Sequence, residues 1–355
     1  MNKTCIAVIG CGRIADRAHF PVFKRLNSVR VKYACDIIRE KAEAKKREYP
    51  DLVENVIEDY KIALQDKEVE AVYVLTPNYQ HCNIVIDALN AGKHVFCEKP
   101  ITVNFELSKK MQDTANKVGK ILVIGVCNRY QRSVELLEKM NREGVFGDIY
   151  HVYCSFRSYR SIPGLGGAFT TKAQSGGGVL IDWGVHFLDL ILYILGNAKI
   201  KTVTCDTYCG TAKKMEDYVY NSMWAEDTKD LNGVNDVEDF VTGYIRTDKS
   251  SVSFNGSWAQ NIDKEEMYVD FLGDKAGARL TYCGDFTLYT TNNGLLEEIH
   301  PKYNIPDMYE CETRAFFDSI RSGEKTKNNI DNVMETAKLL DALYASAEQK
   351  KELKF

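Results

Sequence analysis

Two polar side chains interrupt a long apolar stretch in the middle of the chain. The stretch reads GGGVLIDWGVHFLDLILYILG over residues 176–196, and it carries Asp182 and His186 four residues apart. Residues at that spacing lie on one face of a helix, and a helix that is apolar on all sides is buried. A buried carboxylate costs free energy unless a partner pairs with it. The two residues are therefore either a structural pair of the core or an acid–base couple, since the pKa of histidine lies near neutrality.

A glycine-rich loop follows the first apolar run of the chain. The run CIAVI (5–9) predicts a strand, and GCGRIA after it fits GxGxxA, a variant of the dinucleotide-binding fingerprint. The first glycine permits a tight turn, and the second lets a pyrophosphate approach the backbone at the N-terminus of the following helix. We therefore expect cofactor contacts from Gly10, Cys11, Gly12, Arg13 and Ile14.

The residues after the second predicted strand bear on the choice between NAD and NADP. Asp36 ends the strand VRVKYACD (29–36). A carboxylate there accepts hydrogen bonds from the adenosine ribose and repels a 2′-phosphate. The next two residues are isoleucines, and Arg39 is the first cation that could meet a phosphate. We expect NAD rather than NADP, with Asp36 and Arg39 among the cofactor contacts.

Two further predicted strands end in polar residues. TPN (76–78) ends the fourth strand and EKP (98–100) ends the fifth. Ligands of parallel sheets bind at the carboxyl ends of the strands, although an isolated lysine at such a position is usually a solvated charge. The residue before a proline is held extended, which constrains the backbone of Lys99. We expect cofactor contacts from Thr76, Pro77, Asn78, His81, Glu98 and Lys99, and His19 borders the same site.

The elements that must position these residues divide the chain into two parts. Up to residue 127, strand-like runs alternate with helical patterns, which predicts a doubly wound parallel sheet. After about residue 150, long strands with two-residue alternation predict a large, mostly antiparallel open sheet. We predict an α/β fold with a Rossmann domain at 1–127 and an α+β domain at 128–355. We also predict a C-terminal helix at about 328–350, which packs either within the second domain or back on the first domain.

Composition excludes several classes of partner. The chain has 355 residues, 45% of them hydrophobic and 27% charged, and a net charge of −4 that gives no attraction to nucleic acid or anionic lipid. No signal-peptide pattern opens the chain, and charged residues and a histidine break the apolar stretch at 179–195. Most of the 11 cysteines fall in strand-like runs. We expect reduced core thiols in a cytoplasmic protein, with no membrane span and no metal site.

Several segments together resemble the Gfo/Idh/MocA family of glucose–fructose oxidoreductases and inositol dehydrogenases. They are the GCGRIA opening, AVYVLTPNYQH, AGKHVFCEKPIT, the NRY at 128–130, GGGVLIDWGVHFLD and SVSFNGSW. The resemblance covers nearly the whole chain, and its most specific elements are E-K-P and the downstream D-x-x-x-H. It implies a Rossmann domain joined to a domain whose open sheet forms oligomer contacts, and hence a homodimer or homotetramer.

The resemblance also implies an active site. Lys99, Asp182 and His186 would meet at the nicotinamide, Glu98 would lie by its ribose, and the Lys99–Pro100 bond would be cis. An alcohol that gives up a hydride must also lose its hydroxyl proton to a base. His186 is the expected base, with Asp182 orienting it or binding a neighbouring hydroxyl, and Lys99 stabilises the developing charge on oxygen. The division between Lys99 and His186 stays open, since either could be the formal base.

Substrate contacts are expected from the segment between the first long strand and the apolar helix. Arginine and tyrosine suit hydroxyl-rich or anionic ligands, and the glycine-rich loop at 155–178 is either a lid or a plain connection with solvated charges. Trp183 is either a platform for a sugar ring or a core residue. The expected substrate-binding residues are Lys99, Arg129, Arg157, Tyr159, Asp182, Trp183 and His186.

The family resemblance leaves three functions open. The first is NAD-dependent oxidation of a secondary hydroxyl of a sugar, glycoside or inositol. The second is a glycoside hydrolase or lyase that oxidises its substrate only transiently, without net release of NADH. The third is a nucleotide-sensing regulator, which the presence of Lys99, Asp182 and His186 disfavours because such family members lack the catalytic lysine.

Overall fold

The computed structural model describes residues 3–196, 198–221 and 229–355. They form two compact units, which are described separately below. The first unit consists of Met1–Cys127 with Asp307–Met334, and the second of Asn128–Pro306 with Glu335–Phe355.

The predicted domain boundaries differ from this division in one segment. The sequence assigned residues 307–334 to the second domain, whereas the structure groups them with the first unit. As a statement about which parts of the chain fold independently, the boundaries 1–127 and 128–355 stay a prediction.

A parallel sheet forms the centre of the first unit. Its strands are β1 (Thr4–Ile9), β2 (Val29–Cys35), β3 (Val53–Ile57), β4 (Ala71–Val74), β5 (His94–Glu98) and β6 (Leu122–Gly125). They lie in the order β3-β2-β1-β4-β5-β6, and every pairing is parallel. Strands β1, β4 and β6 are buried at every position, as continuous apolar runs in a parallel sheet are. The predicted doubly wound sheet is confirmed.

The helices of this unit follow the strands in alternation. They are α1 (Phe20–Arg25), α2 (Arg39–Glu48), α3 (Tyr60–Gln65), α4 (Asn78–Asn90) and α5 (Phe105–Val118). A π-helical turn at Ala15–His19 leads from the glycine loop into α1. Polar caps fix some of the ends: the Asn104 side chain accepts a hydrogen bond from the Leu107 N–H at 2.9 Å at the start of α5. The alternation therefore places the strand-end loops in register along one edge of the sheet.

A larger sheet forms the centre of the second unit. Its strands are β7 (Ile149–Arg157), β8 (Ile200–Tyr208), β9 (Phe240–Thr247), β10 (Ser251–Ser257), β11 (Glu266–Gly273), β12 (Ala276–Thr281), β13 (Phe286–Asn292), β14 (Leu295–Ile299) and β15 (Leu353–Lys354). Their order is β14-β13-β12-β11-β7-β10-β9-β8-β15, with β7 and β10 parallel and the other pairs antiparallel. The predicted large, mostly antiparallel sheet is confirmed.

The helices of the second unit pack on one face of this sheet. They are α6 (Arg132–Arg142), α7 (Lys172–Ser175) and α8 (Val185–Leu195), with a π-helical turn at Leu180–Gly184 and 3₁₀ turns at Cys127–Tyr130, Ala168–Thr170 and Met215–Asp217. Phe156 of β7 and Phe187 of α8 stack with ring centroids 5.0 Å apart. Gly256 of β10 admits the Phe156 ring, with which a Cβ would collide. This packing fixes the helix that carries Asp182 and His186 against the sheet.

One helical segment has the length and composition of a membrane span. It is Lys172–Leu195, with a mean hydropathy of 1.7 in its most apolar window. The sequence predicts no membrane span here, because Asp182, His186 and Asp189 interrupt the apolar run. Since 72% of that window is buried inside the fold, and a core helix meets the same criteria, the segment is weak evidence for a membrane span.

Two helices complete the chain. The first, α9 (Met308–Ser322), belongs to the first unit, where the Phe316 ring packs edge-on against Tyr73 of β4 at 5.7 Å. The second, α10 (Ile330–Gln349), contributes its first turn to the first unit and the rest to the second. The aromatic contacts of α9 explain why residues 307–334 group with the parallel sheet.

Candidate functional site

The glycine loop is shaped by contact with the end of strand β4. Gly10 has φ +95°, and a Cβ on it would lie 2.6 Å from the Leu75 carbonyl oxygen, so a glycine is required there. Gly12 is different, because a Cβ built on it meets no atom within 4 Å. The backbone at Gly12 is therefore open on the side from which a pyrophosphate would approach, and the loop fits a dinucleotide.

Asp36 holds this loop in place from the end of strand β2. Its Oδ2 accepts a hydrogen bond from the Cys11 N–H at 2.9 Å, and its Oδ1 accepts one from the Ile38 N–H at 2.9 Å. Burial, and then the Asp36 charge, raise the pKa of Cys11 to about 12. The Cys11 thiol therefore stays protonated, and a contact with the cofactor would come from its backbone.

The residues that follow Asp36 in the chain offer little unbalanced positive charge. Ile37 is 86% exposed and Ile38 is also exposed. Arg39 donates from Nε to Glu43 Oε1 at 2.8 Å, and its Nη1 lies 3.8 Å from Glu58. The first guanidinium after Asp36 is thus already balanced by two carboxylates.

The E-K-P loop is anchored by a buried histidine. His19 Nε2 lies 2.7 Å from Glu98 Oε1, and both side chains are buried. A carboxylate accepts, so Nε2 carries the proton, and within the described residues Nδ1 has no hydrogen-bond partner. Glu98 Oε2 accepts from the Lys99 N–H at 3.1 Å, and the predicted cis Lys99–Pro100 bond is confirmed. Gly125 leaves room for the carboxylate, which a Cβ would approach to 3.0 Å.

A second buried histidine joins the two strand-end loops. His81 of α4 places Nε2 2.8 Å from the Thr76 carbonyl oxygen and Nδ1 2.9 Å from that of Pro100. Burial lowers the pKa of His81, while these carbonyls oppose the change. Because a carbonyl only accepts, a neutral ring donates to one of the two at a time. His81 therefore ties the TPN loop to the E-K-P loop through main-chain contacts.

The predicted residues of the first unit thus gather at the carboxyl ends of adjacent strands. The glycine loop follows β1, Asp36 follows β2, TPN follows β4 and E-K-P follows β5. Arg13, Ile14 and Lys99 are partly exposed there, and Pro77 and Asn78 begin α4. Among the side chains at this edge, His19 is the one whose contact with Glu98 sequence reasoning did not find.

In the second unit, Asp182, Trp183 and His186 lie on the same helical segment. Asp182 is buried within the π-helical turn, Trp183 and His186 are partly exposed, and His186 is the second residue of α8. The ring of Tyr282 meets that of His186 edge-on at 6.3 Å and stacks on Phe187 at 4.4 Å. A π-helical turn inside a helix often marks a functional site. Neither Tyr282 nor this turn could be predicted from the pattern of the sequence.

The start of this segment is held by two residues that sequence reasoning also missed. Glu238 accepts hydrogen bonds from Gly178 N–H at 2.9 Å and Leu180 N–H at 3.0 Å. The Tyr344 hydroxyl donates to Glu238 at 2.8 Å and accepts from Ile181 N–H at 3.2 Å. Burial raises the pKa of Glu238, which these hydrogen bonds oppose; burial and the charge of Glu238 raise that of Tyr344.

Arg129, expected to bind substrate, is engaged inside the second unit. Its Nε and Nη2 donate to the two carboxylate oxygens of Asp189 at 2.8 and 2.7 Å, and both side chains are buried. Thr336 donates to Asp189 as well, at 2.8 Å. Burial alone would lower the pKa of Arg129, but Asp189 raises it. The guanidinium thus has an internal counter-ion, and its predicted contact with substrate stays a prediction.

Arg157 and Tyr159 lie at the end of β7 and just after it. Arg157 pairs with Glu266 of the neighbouring strand β11, and the Tyr159 carbonyl accepts from Gln260 N–H at 3.0 Å. Further along the loop, Ile162 and Leu165 are buried in the core. These contacts attach the loop to the rest of the second unit.

The described residues contain no group of three or more His, Cys, Asp or Glu side chains that could hold a metal ion.

Two family models match the chain in tandem. Residues 5–126 match an oxidoreductase family with an NAD-binding Rossmann fold, and residues 134–279 match the GFO/IDH/MocA C-terminal domain. The chain belongs to the Gfo/Idh/MocA family of oxidoreductases. The family membership inferred from the motifs is confirmed, and with it an oxidoreductase with an NAD-binding domain.

Known proteins resemble the chain along its length. D-glucoside 3-dehydrogenase of Escherichia coli K12 is 31% identical over 97% of this chain and 95% of its own. Myo-inositol 2-dehydrogenase of Thermotoga maritima is 25% identical over 90% of this chain and 89% of its own. The solved structure of a levoglucosan dehydrogenase with NADH and levoglucosan superposes with a TM-score of 0.85, at 20% identity, over 100% of this chain and 99% of its own. This last similarity concerns the fold.

Proposed function

We propose that this Gfo/Idh/MocA protein is a NAD-dependent dehydrogenase that oxidises a secondary hydroxyl of a glycoside or a related sugar or inositol. The observation that carries the proposal is the match to D-glucoside 3-dehydrogenase over nearly the full length of both chains. The match runs through both units, so it includes the E-K-P loop and the helix with Asp182 and His186. Relatives that act on levoglucosan and myo-inositol support the same class of hydroxyl-rich substrate.

The roles of the chain's own residues follow from acid–base chemistry. A bound nicotinamide supplies the acceptor for the hydride that leaves the carbinol carbon. The hydroxyl proton passes to His186 or Lys99, whichever is neutral and in reach of the oxygen. The other residue donates a hydrogen bond to that oxygen as negative charge develops on it. Asp182 orients His186 or binds a neighbouring hydroxyl, and Glu98 would contact the ribose of the cofactor.

We propose NAD rather than NADP as the preferred cofactor. Asp36 presents a carboxylate at the end of β2, and a 2′-phosphate there would meet like charge. Arg39, the first guanidinium after Asp36 in the chain, is paired with Glu43. A cation committed to a carboxylate offers less to a phosphate than an unpaired one.

The test is a screen of alkyl and aryl glucosides, free sugars and inositols with NAD and with NADP. Absorbance at 340 nm and release of the aglycone are recorded in the same reaction. The proposal expects NADH to accumulate in proportion to oxidised glycoside, without free aglycone. Release of aglycone without net NADH would instead establish the hydrolase or lyase with transient oxidation, and NADH formation with none of these substrates would contradict the proposed substrate class.

We also propose a cytoplasmic homodimer or homotetramer. Tyr153, Tyr208 and Tyr289 are exposed and lie on the face of the large sheet opposite the core. Exposed aromatic side chains on one face favour burial against another surface. Eight of the eleven cysteines are buried free thiols, which suits a reducing compartment. Light scattering of the purified protein and cell fractionation test the two statements, and a monomer or a secreted protein would contradict them.

A further inference from the structure

The helical segment that carries Asp182 and His186 begins without a cap of its own. The first four N–H groups of a helix have no partner inside the helix. Here the residue before the π-helical turn is Val179, whose side chain cannot accept a hydrogen bond. The first main-chain bond within the segment runs from Asp182 N–H to the Gly178 carbonyl at 3.1 Å. The N–H groups of residues 178–181 must therefore find acceptors elsewhere.

All four of these N–H groups are taken by Glu238 and Tyr344. The Glu238 carboxylate accepts those of Gly178 and Leu180, and its main-chain carbonyl accepts that of Val179 at 3.1 Å. The Tyr344 hydroxyl accepts that of Ile181. Two residues far away in the chain thus replace the whole cap. Glu238 contributes acceptors from both its side chain and its main chain.

The directions of the hydrogen bonds indicate the charge state of the Glu238 side chain. The Tyr344 oxygen accepts from Ile181, so its single proton is directed to Glu238. Glu238 then faces three donors and no acceptor, which suits an ionised carboxylate. A negative charge at the start of a helix also interacts favourably with the helix dipole. A glutamine at position 238 would keep one acceptor oxygen but would turn its NH2 group, a donor, toward one of the main-chain N–H groups.

Two of the three glycines before the helix, Gly177 and Gly178, are explained by the same contacts. A Cβ on Gly177 would collide with the Tyr344 hydroxyl, and a Cβ on Gly178 would collide with the Glu238 carbonyl. Side chains at these positions would exclude the two capping residues. Gly177 and Gly178 are therefore part of the arrangement and not only a flexible connection.

We propose that Glu238 and Tyr344 are positioning residues for the reaction, because they fix the first turn of the helix and through it the placement of Asp182 and His186. The inference rests on the proposed dehydrogenase function for its kinetic consequence, whereas its structural part stands alone. It deepens the proposed site by adding two residues that do not touch the substrate. It predicts that their loss affects the chemical step more than the binding of NAD.

The test compares Glu238→Gln and Tyr344→Phe with Asp239→Asn as a matched control. Asp239 is the next residue, is also buried, and also accepts hydrogen bonds from two main-chain N–H groups and a hydroxyl, but those belong to Gly210 and Thr211. Each variant is measured by hydrogen exchange of residues 177–190, by melting temperature, and by kcat and KM for the best glycoside and for NAD.

We expect Glu238→Gln to accelerate exchange at residues 178–181 and to lower kcat about 10-fold or more, with KM for NAD within about twofold of the wild type. Tyr344→Phe keeps the ring and is expected to lower kcat about threefold to fivefold. Asp239→Asn is expected to lower the melting temperature without lowering kcat. If Glu238→Gln does not fold, Tyr344→Phe provides the same comparison.

Two results would overturn the inference. One is wild-type kcat in Glu238→Gln and Tyr344→Phe, and the other is an equal fall of kcat in Asp239→Asn, which would show a general effect of instability. If the wild-type protein oxidises no glycoside, sugar or inositol, the proposed function fails. Hydrogen exchange then tests the capping role of Glu238 by itself. In that case, equal exchange of residues 178–181 in Glu238→Gln and Asp239→Asn would refute the capping role.

Discussion

The two units hold their candidate functional residues by different means. In the first unit, Lys99 and its neighbours lie on loops at the carboxyl ends of β4 and β5, and His81 contacts main-chain carbonyls on both loops. In the second unit, Asp182 and His186 lie within a buried helix. That helix is held by side chains from distant parts of the chain, with Glu238 at its start and Arg129 paired to Asp189 further along.

This difference separates sites fixed by topology from sites fixed by individual side chains. Parallel strands bring their carboxyl ends together whatever the loops contain, so the first site tolerates changes in its supports. A buried helix held by charged partners depends on each of them, because an unpaired buried charge is costly. Single substitutions of supporting residues should therefore be more harmful in the second unit than in the first.

The largest effect is expected where a buried charge loses its partner. Asp189→Asn leaves the Arg129 guanidinium buried without its counter-ion, and we expect the free energy of unfolding to fall by about 3–5 kcal/mol. Chemical denaturation measures it. The matched control is Asp270→Asn, which breaks the two-hydrogen-bond pair with the more exposed Arg279, for an expected loss of about 1 kcal/mol or less. Equal losses would contradict the dependence on buried pairing.

The next effect concerns the groups proposed to act on the substrate. Lys99→Ala and His186→Ala should each lower kcat about 100-fold or more, because each removes a proton acceptor or a charge-stabilising donor. Binding of NAD, measured by fluorescence titration, should persist in both. His151→Ala is the control, since that histidine contacts Ser251 and Ser253 on the large sheet. Undiminished turnover in both variants would refute the assigned roles.

What the sequence could predict follows the same division. Apolar runs, the glycine fingerprint and the strand-end motifs depend on neighbours in the chain, so the parallel sheet, the cofactor loop and the cis bond before Pro100 were predicted. The second unit's supports were not, because Glu238 reaches Gly178 across 60 residues and Tyr344 reaches Ile181 across 163. No local pattern encodes such pairs. The three glycines at 176–178 were the one available signal, since a run without side chains indicates a close approach.

Arg129 shows the converse limit. The sequence predicts a substrate contact for Arg129, which lies in the NRY segment of the family resemblance, yet the structure pairs it with Asp189 across 60 residues. The apolar helix contains two carboxylates, Asp182 and Asp189. Helical spacing alone does not predict which of them pairs with a cation. Arg129 and Asp189 pair because both are buried in the fold. Which polar residues are buried depends on the packing of the whole fold and not on the local sequence.

A smaller effect is expected from a support of the first unit. His19→Leu removes the imidazole that holds Glu98 and leaves that carboxylate with the Lys99 N–H. We expect kcat/KM for NAD to fall about 10-fold, because one hydrogen bond to a buried charged group is lost. His19→Gln, which can donate to Glu98, should restore part of the loss. A fall as large as that of Lys99→Ala would contradict the greater tolerance of the first site.

The smallest effect should appear in the choice of cofactor. Asp36→Ala removes the carboxylate that would repel a 2′-phosphate and also its hydrogen bonds to the Cys11 and Ile38 N–H groups. We expect the ratio of kcat/KM for NAD over NADP to fall about fivefold to tenfold, with total activity reduced less than in His19→Leu. The fall should stay modest because Arg39 remains paired with Glu43 and gains no phosphate to bind. Adding Glu43→Ala to Asp36→Ala removes the nearer of the two carboxylates beside Arg39 and leaves the longer contact with Glu58, so the double variant should favour NADP further. If the ratio is unchanged in both variants, Asp36 supports the loop without selecting the cofactor.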